Sequence, residues 1–360
     1  MQEIRISEAN AGQRLNKFLG KYLDDAPQSF LYRMLRKKNI KWNNKKAAGN
    51  EVLNTGDTVQ VYMTDETIAK FRKDKKIPVF DTKRQENALQ NPDNRQSAAD
   101  GEDISPVREW EPLKGIEIIY EDRDILILNK PAGLLSQKAA AGDYSLNEQI
   151  VDYYGTKPWA DFLFTPSVCN RLDRNTSGII LAGMSLKGSR TLSHMLKERT
   201  LDKYYLTIVS GNIASPSTIK GFLVKKASHN QVLIYKSIED AGKNKEERPA
   251  YIETMYEPLA HGEFRDMEFT LLKVKLITGK THQIRAHLQA VGHPVIGDGK
   301  YGLKSVNALL KREFGLRHQL LHASEITFPC QEEGLSGTLS GRKFYADLPE
   351  KFCEIKNAIF

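Results

Sequence analysis

The chain has 360 residues, more than the roughly 250 to 300 that one hydrophobic core organises, so two domains are expected, and its formal charge of +8 suits a polyanionic partner without requiring one. Cys169, Cys330 and Cys353 stand far apart with no C-x-x-C pair, which argues against a disulfide framework or zinc ribbon and fits a reducing cytoplasm. No apolar run nears the ~20 residues that span a bilayer, and MQEIRISEANAGQRLNKFL at the N-terminus has no signal-peptide core, so neither membrane insertion nor secretion is expected.

In chain order, Arg14–Tyr22 and Gln28–Lys38 carry helix-spaced apolar residues and Thr58–Tyr62 reads as a closing strand, predicting a small compact unit over residues 1–62. Between Leu31 and Lys46 stand Arg33, Arg36, Lys37, Lys38, Lys41, Lys45 and Lys46 with no acidic residue, interleaved with Tyr32 and Trp42. That pattern is a candidate phosphate-tracking face, or else a solvated basic surface. Residues 63–110 turn to Lys, Asp, Gln, Asn and Ser, the composition of a flexible linker.

The larger domain is expected over residues 111–360. GIEIIY, DILILNK, GIILAGM, KYYLTIV and MEFTLLKVKLI read as strands between Gly, Asp and Pro punctuation. In the last, Met267, Phe269 and Leu271 alternate on one phase and Leu272, Val274 and Leu276 on the other, which predicts a β-bulge or edge twist. One helix starts at Ser185 as N-cap and carries Leu192, Met195 and Leu196. Another carries Ile284, Leu288 and Val291, with Gly292 to cap it and Pro294 to stop it. Several strands without regular strand–helix alternation imply an α+β fold with a mixed, mostly antiparallel sheet and flanking helices.

Two patterns mislead. Gly297, Gly299 and Gly302 spell G-x-G-x-x-G, yet only Val295 and Ile296 separate Pro294 from the first glycine, too little for the buried strand a dinucleotide turn must follow. Gly279-Lys280-Thr281 ends like a phosphate loop, but Val274 stands where its first glycine belongs. His282 and His287 lie five apart on diverging faces of one helix, so no metal site is expected.

Asn170-Arg171-Leu172-Asp173-Arg174-Asn175-Thr176-Ser177-Gly178 places a carboxylate between two arginines in a polar turn. These residues suit an ordinary capped turn as well as an active loop. Upstream lies DILILNKPAGLLS at Asp124–Ser136. Downstream come Lys203-Tyr204-Tyr205 with Thr207, Val209 and Gly211, then LITGKTHQIRAHLQAVGHPVIGDGKYG, Arg317 and Leu321-His322-Ala323. Over Glu111–Pro349 and in this order, the segments closely resemble the RluA/RluC-type pseudouridine synthases of the ribosomal large-subunit kind. That family's central motif is H-R-L-D-x-x-T-S-G, and this chain departs from it with Asn170. RLNKFL, RKKN, IKWNNKK and NTGDTVQV in residues 1–62 resemble an S4 RNA-binding domain.

The resemblance implies that uridines in structured RNA, most of all large-subunit ribosomal RNA, are isomerised to pseudouridine without cofactor; the cytoplasm follows from the cysteines, and a monomer is the default where the sequence does not give the oligomeric state. The resemblance also implies Asp173 as catalytic carboxylate, Arg285 as its partner, Tyr205 against the uracil, and Arg171 filling the RNA stack as the target flips out. Attack by Asp173 at the sugar or at the base both stay open. From its helix alone, Arg285 projects off the apolar stripe toward either a cleft or solvent. A binding or ribosome-assembly protein that kept this fold without chemistry is the alternative class, and a nicotinamide oxidoreductase built on Gly297–Gly302 a weaker one.

Overall fold

A computed structural model describes residues 1–7, 10–72, 112–140, 142–161, 163–226, 231–242, 248–330 and 339–360. The chain forms two compact units, one of Met1–Pro112 with Lys157–Thr165 and one of Leu113–Thr156 with Pro166–Phe360.

The first unit runs β1 (Gln2–Arg5), α1 (Leu15–Tyr22), α2 (Gln28–Arg36), β2 (Ile40–Trp42), β3 (Lys45–Lys46), β4 (Thr58–Val61) and α3 (Asp65–Lys70), with its sheet in the order β1-β4-β2-β3. Leu15, Phe18 and Leu19 of α1 meet Leu35, Ile40 and Val59 in a closed core, as their helical spacing demands. Asn43 and Asn44 take positive φ in the β2–β3 turn, a conformation that asparagine tolerates well. Two features differ from expectation. Beyond Tyr62, where the linker was predicted to begin, Thr64 caps α3 by accepting from the Thr67 amide and Ile68 is buried in the same core; residues 73–110 lie outside the described residues. The core also includes Leu163, while Ser7 Oγ and Asn10 Nδ2 donate to the Asp161 carboxylate.

The second unit runs β5 (Glu117–Glu121), β6 (Ile125–Lys130), α4 (Leu146–Gly155), β7 (Ser167–Val168), β8 (Ser177–Gly183), α5 (Leu186–Glu198), β9 (Asp202–Ser210), β10 (Ser217–Lys226), β11 (Gln231–Tyr235), α6 (Ile238–Gly242), β12 (Ala250–Phe264), β13 (Met267–Leu276), α7 (Gln283–Ala290), α8 (Lys304–Phe314), β14 (Leu321–Thr327), β15 (Lys343–Tyr345) and α9 (Glu350–Ile359). One sheet of 11 strands takes the order β11-β10-β12-β13-β9-β14-β8-β6-β5, with β7 beside β8 and β15 beside β14. Its pairs are antiparallel except β8–β14, in keeping with the expected α+β class. All of β8 is buried, which explains its unbroken apolar run.

Gly178 makes the parallel pair possible. It has φ +108°, and a Cβ there would lie 2.2 Å from the Ala323 carbonyl oxygen. The predicted bulge is present, but on the neighbouring strand: β13 is continuous, and the register of β12 shifts between Pro258 and Ala260, opposite Leu272 and Leu271. The extra residue, Leu259, is exposed. A phase change in one strand's buried face was thus matched by a bulge in its partner.

Candidate active site

Asp173 lies in the loop between β7 and β8, and several side chains hold that loop. Asn170 spans the edge of β8, donating from Nδ2 to the Ile179 carbonyl (3.3 Å) and accepting the Leu181 amide on Oδ1 (2.7 Å). Asparagine thus supplies a strand-like pair of bonds where the family motif has histidine. Ser136 Oγ donates to the Leu172 carbonyl and accepts the Leu172 amide.

Lys130, at the end of β6, is fully buried. Its Nζ donates to the carbonyls of Pro131 (2.9 Å), Leu134 (2.9 Å) and Arg174 (3.0 Å), tying the turn after β6 to the residue following Asp173. Burial pulls this ammonium down to about 7, and the Asp173 charge pulls the other way. Behind the loop, His322 Nε2 faces the Ala346 carbonyl and Nδ1 faces Ser177 Oγ. The carbonyl can only accept, so the proton sits on Nε2 and Ser177 donates to Nδ1.

Arg285 projects from α7 and is buried, which resolves the sequence ambiguity in favour of a cleft. Its Nη1 donates to Asp173 Oδ2 at 2.8 Å, while Nε and Nη2 form a fork on Asp298 at 2.6 and 2.8 Å. Burial opposes the guanidinium charge, but Asp298 and then Asp173 outweigh it and raise the pKa. The same exchange holds Asp298 low: burial would lift its carboxyl, but Arg285 and the amides of Lys300 and Tyr301 more than reverse that. Asp298 sits in the turn that spells the misleading glycine pattern. Asn307 fixes this turn by accepting the Gly297 amide and donating to the Asp298 carbonyl.

Asp173, Arg285, Tyr205 and Arg171 all line one cleft of about 1380 Å³ within the second unit. Tyr205, on the central strand β9, is buried, and burial followed by the nearby Asp173 charge pushes its phenol well above its ordinary pKa. Tyr204 faces the other way, its ring under Lys273 Nζ at 4.4 Å, as strand alternation requires. Arg171 is exposed at the rim. Among the described lining residues, six lysines and six arginines surround a single carboxylate, that of Asp173. A cleft of that sign attracts a polyanion and concentrates field around one negative side chain.

The remaining predicted residues belong to the first unit. Arg33 and Arg36 on α2, Lys37 and Lys38 just beyond it, and Lys45 on β3 are exposed, while Lys41 is half-buried with Nζ 4.9 Å over the Tyr62 ring. Sequence reasoning missed Asp298, Lys130 and His282. Asp298 was hidden by the glycines around it. Lys130 gave no signal because a lysine at a strand end is ordinarily solvated.

Residues 124–290 match the sequence profile of the RNA pseudouridylate synthases. Ribosomal large subunit pseudouridine synthase C of Vibrio cholerae is 30% identical over 337 residues, covering 93% of this chain and 91% of that protein. Its namesake in Haemophilus ducreyi is 32% identical over 329 residues, covering 91% and 88%. The chain belongs to the RNA pseudouridylate synthase family. A solved human structure, RNA Pseudouridylate Synthase Domain Containing 4, superposes with a TM-score of 0.51 at 19% identity, covering 66% of this chain and 90% of that one, and supports the fold. The profile spans Asp173, Tyr205 and Arg285 but ends before Asp298, so in this synthase the clamp's second carboxylate comes from outside the matched segment. Among the described residues no helix is long and apolar enough to cross a membrane.

Proposed function

We propose that this synthase acts on uridines of large-subunit ribosomal RNA in the cytoplasm, as a monomer, with Asp173 as the catalytic carboxylate. The names of its relatives support the substrate, and the basic cleft suits it. The observation that carries the assignment of Asp173 is its 2.8 Å hydrogen bond from Arg285 in a cleft with no second carboxylate among the described lining residues.

Uridine and pseudouridine are isomers, so no oxidant or reductant is consumed. The N1–C1′ bond breaks, C5 bonds to C1′, a proton leaves C5 and one reaches N1. Arg285 pairs with the Asp173 carboxylate through a charge-assisted hydrogen bond and so orients it in the cleft. Tyr205, held as a neutral phenol, offers a ring for the uracil to stack on while it turns. Arg171 at the rim takes the place of the base that leaves the RNA stack. The unit around residues 1–62 acts as an S4-like RNA-binding domain through Arg33, Arg36, Lys37, Lys38, Lys41 and Lys45, joined through a linker.

The decisive test is Asp173→Asn, which keeps shape and hydrogen-bonding capacity. RNA binding and unfolding midpoint should stay close to wild type while pseudouridine formation in a single-turnover assay is abolished. Measurable turnover by that variant would remove Asp173 from the chemistry.

A further inference from the structure

His282 lines the cleft beside Asp173 and has no part in the chemistry proposed for that carboxylate. It holds a left-handed conformation (φ 56°) immediately before α7, which a non-glycine residue keeps only where its surroundings enforce it. The enforcement is visible next door. Gln283 accepts from Lys280 N and Thr278 Oγ1 and donates to the Glu253 carbonyl and Thr254 Oγ1, pinning the first turn of α7 to β12. The result aims the buried imidazole into the cleft, with Nε2 3.9 Å from Asp173 Oδ2 and Nδ1 3.1 Å from Tyr301 Oη.

The proton positions follow from the partners. Tyr301 Oη accepts the Val232 amide at 3.0 Å, and burial chiefly keeps its phenol protonated. Its own proton is therefore left for His282 Nδ1, which puts the imidazole proton on Nε2, facing the carboxylate. Resting on the assignment of Asp173 as catalytic carboxylate, we propose that His282 is a positioning residue for it. His282 and Arg285 address the same oxygen, Oδ2, and so leave Oδ1 as the oxygen presented to the uridine. At 3.9 Å the contact is longer than a hydrogen bond, and it must shorten once RNA is bound for His282 to act in this way. The donor must be neutral, because an imidazolium beside Arg285 would add a second positive charge and blunt the carboxylate. The groups facing the ring are Asp173, Arg285, Lys300, Asp298 and Tyr301. Burial leads the balance against protonation, Arg285 and Lys300 add to it, and the two aspartates oppose it.

The test compares His282→Gln with His282→Met, two unbranched side chains of similar size, of which only the first can donate from the position of Nε2. Single-turnover rate, RNA affinity and unfolding midpoint are measured for both beside Asp173→Asn. The methionine variant should lose roughly ten- to a hundredfold in rate at unchanged affinity, with the glutamine variant within about threefold of wild type. Equal rates for the two would overturn the proposal. Tyr301→Phe supplies an independent measurement should the His282 variants fold poorly. With Nδ1 released, the ring protonates at higher pH, so the acid limb of the rate profile should move upward; an unmoved limb also overturns the proposal. If Asp173→Asn itself turns over, the assignment of the carboxylate fails, whereas an inactive Asp173→Asn beside a fully active His282→Met sinks this inference alone.

Discussion

Arg285 divides one guanidinium between two carboxylates, and its geometry decides what a conservative change does. Lysine would keep the charge but could not hold Asp298 with a planar fork while reaching Asp173. Arg285→Lys should therefore lower the single-turnover rate by about a hundredfold or more. It should also destabilise the fold by about 1 to 3 kcal/mol, read by urea denaturation, as Asp298 loses a donor. His287, on the same helix, makes a different prediction. Its Nδ1 meets Thr254 Oγ1 at 2.9 Å, its Nε2 has no hydrogen-bond partner among the described residues, and burial depresses its pKa from 6.5 to about 4. Between those values the unfolded chain takes up a proton that the folded chain refuses. Stability is therefore full above pH 6.5 and falls as pH drops toward 4, by up to about 3 kcal/mol. Denaturation at pH 7 and pH 5 should show the loss, and His287→Gln should flatten that slope even if its baseline is lower.

At the level of elements, the Asp173 loop depends on strand β8, and β8 depends on Gly178. An added methyl would meet the Ala323 carbonyl and a backbone angle that alanine disfavours. Gly178→Ala should cost at least about 3 kcal/mol in chemical denaturation and take activity with it. Strands β5, β6, β8, β9 and β13 and helices α5 and α7 were legible because each carries a sharp signal, such as the Ser185 cap or the Gly292–Pro294 stop, whereas β7, β10, β11, β12, β14 and β15 were not read. Helices α8 and α9 were not read. Neither has a side-chain N-cap bond, since Leu303 and Pro349 stand at those positions, and each is mostly polar apart from a narrow buried stripe. Helix α4 did carry a capping box, Ser145 with Glu148, which was there to be found. In the site, the linear motif pointed to Asp173, Tyr205 and Arg285. The Asp298 fork and the His282–Tyr301 contact were not legible, because spacing along a chain does not say which side chains a turn folds together.

For the whole molecule, the distribution of charge separates two binding contributions. The cleft surrounds Asp173, whereas Arg33, Arg36, Lys37 and Lys38 lie exposed on the first unit. Replacing these four with glutamine should weaken RNA binding and reduce the slope of log affinity against log salt by about three, while leaving the single-turnover rate at saturating RNA unchanged. An unaltered slope would show that this face does not meet phosphate. Substitution is a cleaner probe than deletion because Lys157–Thr165 belongs to the first unit and Leu163 is buried in its core. The small unit is therefore discontinuous in sequence: one of its parts arrives only after α4 has been synthesised, so it cannot complete itself on the ribosome before the catalytic unit has begun to emerge. A shortened protein starting at residue 113 would carry that stretch with nothing to cover it, and poor solubility, rather than slow chemistry, would be its first symptom.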